Sequence, residues 1–190
     1  TYHNVGILFV KNLTNKMSPN SKFQIPNSKD FEYFKINNLI FVNPLTFMNE
    51  SGKAVLTAIK YFSSKKEKIK LEEILVVQDD SDIELGNYKI SFGRGSAGHK
   101  GVESIIRSLK TKNFWRLRIG IRSENSKFPA PKGRGSPHHL AGRQIPNSKL
   151  RLRAEDLVLK KIKKSDWLAL QQVFKSIEED IRVRLRNTII

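Results

Sequence analysis

The stretch Ile74-Leu75-Val76-Val77, followed by Gln78 and the acidic knot Asp79-Asp80-Ser81-Asp82-Ile83-Glu84, sets the fold class. Four consecutive apolar residues, three of them β-branched, are too few for a stable helix and predict a strand buried on both faces. An acidic knot just beyond such a strand lies where α/β proteins place their sites. Working outward, Phe31–Ile36 and Leu39–Val42 read as short strands joined across the turn-forming pair Asn37-Asn38. Ser51 reads as the cap of a helix that carries Val55, Ile59 and Phe62 on one face. Residues 88–92 and 114–121 alternate as strands do. Residues 99–109 carry Val102, Ile105, Ile106 and Leu109 on a helical stripe. A last helix starting near Ser165 aligns Trp167, Leu170, Phe174, Ile177 and Ile181. Strands alternating with helices predict an α/β layered domain.

The chain has 190 residues, with 35 Lys and Arg against 18 Asp and Glu, a net charge of +17. Such an excess points to a polyanionic partner, nucleic acid first, because neutralised phosphates release counterions. The bland alternative is a basic surface that only aids solubility. Hydrophobic residues at 38% suffice for one core. With no cysteine, a thiolate nucleophile, a thiolate metal site and a disulfide scaffold are excluded, and a cytoplasmic protein is expected. No run of about 18 apolar residues or signal peptide is visible, so no membrane association is expected. Residues 123–154 carry one acid, Glu124, among many basic residues, prolines and glycines, and read as an atypical basic loop or insertion within a single domain spanning 1–190. The hexapeptide Gln-Ile-Pro-Asn-Ser-Lys occurs at 24–29 and again at 144–149; one recurrence makes no repeat architecture.

Gly93-Arg94-Gly95-Ser96-Ala97-Gly98 has the spacing of a dinucleotide loop. The acid expected about 20 residues on is missing, so a flexible turn, or a loop that admits a phosphate or sugar, fits better. The acidic knot fails as an EF-hand, since Gly86 is one position late and Ser91 stands where a glutamate is needed. It leaves open a metal held by aspartates, a solvated turn, or one acid orienting a histidine. His138 and His139 lie in the basic loop; His3 and His99 flank helix starts, and a histidine with a carboxylate partner can activate water. Pro44–Gly52 reads as a strand-to-helix elbow that displays Met48 and the Asn49 amide beside the cap, where the amide can meet a carbonyl or a water; the bland alternative is a capping turn with Phe47 and Met48 in the core.

Together, Thr1-Tyr2-His3-Asn4-Val5-Gly6, the segment 44–52 with its Thr-Phe-Met-Asn-x-Ser-Gly motif, residues 79–86, the segment 95–101 with its Gly-His-x-Gly motif, and residues 114–121 resemble the bacterial-type peptidyl-tRNA hydrolase family over roughly residues 1–122. Leu157-Val158-Leu159 and the last helix look like that family's C-terminal part. The resemblance implies a monomeric three-layer α/β sandwich with a central mixed sheet, no cofactor and no metal. It also implies a glycine-rich first strand ahead of the motif at His3, which this sequence lacks. The implied activity is hydrolysis of the ester between a peptide and the 3′ ribose of tRNA, with peptidyl-tRNA as the partner. His3 then corresponds to the general base, Asp79 to the acid that orients it, and Asn49 to an amide that positions substrate and water. Met48 and Asn4 line the site, His99 stands near the peptide and 3′ end, and Arg118 grips the tRNA backbone. Lys100 stands where the family carries an amide, and Ser91 where it often carries a phosphate-clamping lysine. A non-catalytic RNA-binding relative on the same fold is the alternative. Retention of His3, Asp79 and Asn49 favours the enzyme.

Overall fold

Two antiparallel strands with large side chains form the hairpin expected at 31–44. Strand β1 (Phe31–Ile36) pairs with β2 (Leu39–Pro44), in a register from Phe31 opposite Pro44 to Ile36 opposite Leu39. Asn37 turns the chain with φ 50°, a left-handed conformation that asparagine tolerates. The computed structural model describes residues 1–20, 22–64, 68–122 and 160–187. The predicted basic loop, His138, His139, Leu157-Val158-Leu159 and the second hexapeptide copy lie outside them. The chain divides into two compact units. One comprises Thr1–Val5, Asp79–Tyr88 and Arg118–Ile190; the other comprises Gly6–Gln78 and Lys89–Leu117.

In the second unit, β1 packs on helix α2 (Ser51–Phe62), with Phe31, Ala54 and Ala58 buried and Tyr33, Val42 and Phe62 around them. Ser51 is not the cap of α2. Glu50 holds that position, and Ser51 Oγ instead donates to Met48 O at 2.8 Å, because a 3-10 turn (Met48–Glu50) runs straight into the helix. Helix α3 (Lys100–Leu109) buries the predicted stripe: Val102, Ile105 and Phe114 form a core with Val55, Ile74, Val76, Ile106 and Leu109. Helices α2 and α3 cross at Gly52, whose N–H donates to Ser104 Oγ at 3.0 Å and whose missing β-carbon would strike Ser104 O. The first hexapeptide copy pairs through Gln24 with Tyr33 and lines a cleft of about 350 Å³.

Strands β3 (Leu75–Glu84), β4 (Tyr88–Phe92) and β5 (Trp115–Arg122) form a sheet in the order β3-β5-β4. The side-chain pairs Gln78–Arg116, Asp80–Arg118 and Glu84–Arg122 keep a constant offset of 38 residues, the parallel sense. Along β4 the partners run the other way, from Gly120 for Asn87 to Phe114 for Gly93. The sheet is therefore mixed, as expected for the α/β class. The expectation that Ile74–Val77 is buried on both faces does not hold: Leu75 is 40% exposed, while Gln78, Asp79 and Asp80 further along are buried. Among the described residues β3 is an edge strand, and its buried part is the polar half, where ion pairs replace apolar packing.

In the first unit, helix α4 (Lys164–Asn187) buries Leu170, Val173, Phe174 and Ile177 at three- and four-residue spacing. Each such side chain removed from water contributes roughly 1.5–3 kcal/mol. Trp167 meets Phe174 edge-on. No helix among the described residues is long and apolar enough to cross a membrane.

Candidate active site

His3 sits in a 3-10 turn (Tyr2–Asn4) that leads into helix α1 (Val5–Met17). Its neighbour Tyr2 anchors the turn. The Tyr2 hydroxyl donates to Asp166 Oδ2 on α4 and accepts the Lys163 N–H at 3.4 Å. Burial first, then the bond to Asp166, push the Tyr2 phenol up to about 12. On α1, Gly6 permits close approach to β3, since a β-carbon there would lie 2.7 Å from Val77 O.

His3 Nδ1 lies 3.4 Å from Asp79 Oδ2. That nitrogen is buried and makes no aligned hydrogen bond among the described residues, so the two groups are in close approach without a formed bond. Asp79 is buried, whereas the His3 side chain is 25% exposed and keeps one edge toward solvent. A carboxylate beside Nδ1 holds the ring proton there and leaves Nε2 with its lone pair, the state in which a histidine takes a proton from water. Contacts of this kind are often long before substrate binds.

The acidic knot is not a turn after the strand; β3 runs through it to Glu84. Alternation sends Asp79 and Asp80 to opposite faces. Asp80 Oδ2 accepts from Arg118 Nε at 2.6 Å, and Asp80 Oδ1 accepts the Asp82 N–H at 2.9 Å. Arg122 Nη2 donates to Glu84 Oε1 at 3.1 Å. Asp82 reaches solvent, yet desolvation within the knot and then the charge of Asp80 raise its carboxyl pKa, while Arg118 and Arg122 work the other way. Sequence reasoning missed Asp80. The available signal was arginine at 116, 118 and 122 on one face of β5, matching acids or amides at 78, 80 and 84. Arg118, expected on the tRNA backbone, has its Nε engaged by Asp80, and its side chain is 20% exposed. Asn4 is exposed beside His3.

The remaining candidates belong to the other unit. The bland alternative of a core Phe47 does not hold: Phe47 is 80% exposed, at the N-cap of the 3-10 turn Met48–Glu50. Met48 is half-buried, and Asn49 is exposed. His99 is the N-cap of α3: its Nδ1 accepts the Val102 N–H at 3.3 Å. A β-carbon on Gly101 would lie 3.1 Å from both His99 Cε1 and Met48 Cγ, so Gly101 brings Met48 and His99 side by side. Lys100 is exposed at the first position of α3. Ser91 Oγ is buried with no hydrogen bond among the described residues. Gly93, Ala97 and Gly98 have φ of 66°, 52° and 86°, which makes the glycine segment a set of tight turns before the helix. No group of three or more His, Asp or Glu among the described residues could hold a metal ion.

Comparison with known proteins gives the chain its family. The family model for peptidyl-tRNA hydrolase matches residues 1–138. The peptidyl-tRNA hydrolase of Mycoplasma mycoides subsp. mycoides is 39% identical over 123 residues, covering 64% of this chain and 63% of that one. That of Prochlorococcus marinus subsp. pastoris is 33% identical over 183 residues, covering 94% of this chain and 77% of that one. The crystal structure of peptidyl-tRNA hydrolase from Acinetobacter baumannii shares the fold, with TM-score 0.70 at 23% identity over 100% of this chain and 82% of that one. With a match over most of its length, the chain belongs to the peptidyl-tRNA hydrolase family. It spans 63%, 59% and 64% of the length of three of the curated relatives it matches.

Proposed function

We propose that the chain hydrolyses the ester between a peptide and the 3′ ribose of tRNA, freeing the tRNA for reuse. The observation that carries this reading is the approach of His3 Nδ1 to Asp79 Oδ2 at 3.4 Å. His3 Nε2 takes a proton from water, and the hydroxide attacks the ester carbonyl. The oxyanion that forms is met by an amide N–H, a role assigned to Asn49 and supported by its exposure next to Met48. When the intermediate collapses, the ribose 3′ oxygen leaves and takes the proton back from the imidazolium. An alcohol is a good enough leaving group for this to proceed with a His–Asp pair and hydrogen-bond donors alone.

Asn4, Met48, His99 and Lys100 are assigned to the peptide and the 3′ end. Arg118 is assigned to the tRNA backbone through the guanidinium nitrogens other than Nε. The net charge of +17 supplies long-range attraction to the phosphates. The chain acts as one monomeric catalytic domain in the cytoplasm. A non-catalytic RNA-binding role would leave the His3–Asp79 pair without a task. The test is release of the acyl group from an N-acetylaminoacyl-tRNA by the chain and by His3→Ala. Turnover that depends on His3 is expected. Tight tRNA binding with no turnover in either protein would establish the non-catalytic reading instead.

A further inference from the structure

Asp80 is buried and ion-paired, yet the reaction above gives it nothing to do. It follows Asp79 in β3 and leaves the opposite face of the strand. Both of its oxygens are engaged, Oδ1 by the Asp82 N–H at 2.9 Å and Oδ2 by Arg118 Nε at 2.6 Å. Only 8% of the Asp80 side chain and 20% of the Arg118 side chain reach solvent, so salt screens this pair less than a surface pair. An unpaired carboxylate in that position would be costly, and Arg118 is what pairs it.

We infer that Arg118 and Asp80 are a positioning pair for the His3–Asp79 dyad, which hold the Asp79 carboxylate in place and cancel the second negative charge one residue away from it. The inference rests on reading His3 as the base and Asp79 as its orienting acid. Two physical effects are involved. Mechanically, the clamp on Asp80 and the Asp80-to-Asp82 bond fix the main chain on one side of Asp79. Electrostatically, a lone Asp80 charge next to Asp79 in sequence, with only 8% of its side chain exposed, would be little screened by salt. It would favour the doubly protonated form of His3, which cannot accept a proton from water. Arg118 removes that bias. The other charged groups of the unit on β3, β5 and α4 include Asp82, Glu84, Arg122 and Asp166. Asp82 responds to both members of the pair, its carboxyl raised by Asp80 and lowered by Arg118, whereas Arg122 keeps its bond to Glu84, and Asp166 its bonds to Tyr2 and Ser165.

The test compares four full-chain proteins: wild type, Arg118→Met, Asp80→Asn and the double variant. The His3 ring is followed by NMR at one pH, its signal assigned by loss in His3→Gln. In parallel, kcat and KM are measured on an N-acetylaminoacyl-tRNA. Arg118→Met is expected to move the His3 signal toward the doubly protonated position and to lower kcat about tenfold, the equivalent of one unit in a protonation equilibrium. Asp80→Asn is expected to move the signal the opposite way. The double variant should bring the signal back and restore most of kcat. A clamp with only a structural role would damage both single variants in the same direction and the double variant further. A role confined to gripping tRNA would raise KM, flatten its salt dependence and gain nothing from Asp80→Asn. Either pattern, or a His3 signal identical in all four, overturns the inference. Should Arg118→Met not fold, Arg118→Lys keeps the charge and is expected to keep the wild-type signal; a shift as large as that caused by charge removal counts against the pair. The NMR comparison needs no turnover. If His3→Ala retains full turnover while the four-way pattern holds, the catalytic reading fails and the coupling stands.

Discussion

His3 and His99 both stand at the start of a helix, and they differ in what meets Nδ1. At His3 it is the Asp79 carboxylate, at 3.4 Å, which draws the ring proton to Nδ1 and leaves Nε2 as a base. At His99 it is the Val102 N–H, at 3.3 Å, to which Nδ1 must present its lone pair, so the proton belongs on Nε2. The two rings are therefore opposite tautomers, one able to accept a proton at Nε2 and one able only to donate there. A helix start alone does not make a histidine catalytic; the group facing Nδ1 decides.

The comparison breaks most easily at the outer nitrogen. His3→Ala is expected to lower turnover of N-acetylaminoacyl-tRNA by about 10²–10⁴-fold with little change in melting temperature, the usual range for a lost general base. His99→Ala should cost far less in the same assay; an equal loss would erase the distinction. Asp79→Asn keeps the size of the partner but removes its charge and its hold on the Nδ1 proton. A loss of about 10²-fold is expected, again with an unchanged melt.

The cap offers a second way to sharpen the contrast. His99→Ala removes a bond to the third residue of α3 and should cost about 1 kcal/mol in a urea titration. His99→Asn, a good capping residue, should recover most of that. No such recovery is expected for asparagine at position 3 in turnover. The smallest expected effect lies beside His3, at Tyr2. Its phenol is raised to about 12 in the folded chain, above the ordinary value of 10.0. Its contribution to stability is therefore complete below about pH 10 and is lost as pH rises toward 12. Tyr2→Phe should be less stable at pH 8 and should lack that part of the alkaline decline, as read from denaturant midpoints between pH 8 and 12.

Elements whose own side chains determine them were legible in the sequence. The β1–β2 hairpin follows from two apolar runs around a turn pair, and the α3 stripe from helical spacing. The pairing of His3 with Asp79 was expected from the family resemblance, which the motifs at 46–52 and 98–101 make specific, and the structure brings the two side chains together. Elements determined by distant partners were not. The continuation of β3 to Glu84 runs against the low strand propensity of aspartate, and Arg118 and Arg122 on the next strand compensate for it. Phe47 reads as core by hydrophobicity but is 80% exposed, because the turn after it and not its side chain sets its direction. Ser51 has a capping residue's chemistry, yet the 3-10 turn before it takes the cap position away. The Asp80–Arg118 pair lies 38 residues apart and needs the strand pairing before it can be seen.

Two adjacent aspartates also pose a problem of registration. A slip of one residue turns every side chain of a strand to the other face. In β3 it would offer His3 one aspartate in exchange for the other, and it would part Asp80 from Arg118 and Glu84 from Arg122. A residue with no side chain marks the same unshifted alignment. A β-carbon at Gly120 on β5 would strike Glu84 O, so the strands close only where the glycine meets that carbonyl. Which acid reaches the histidine is thus checked twice, by the arginines of β5 and by an empty space at the far end of the strand.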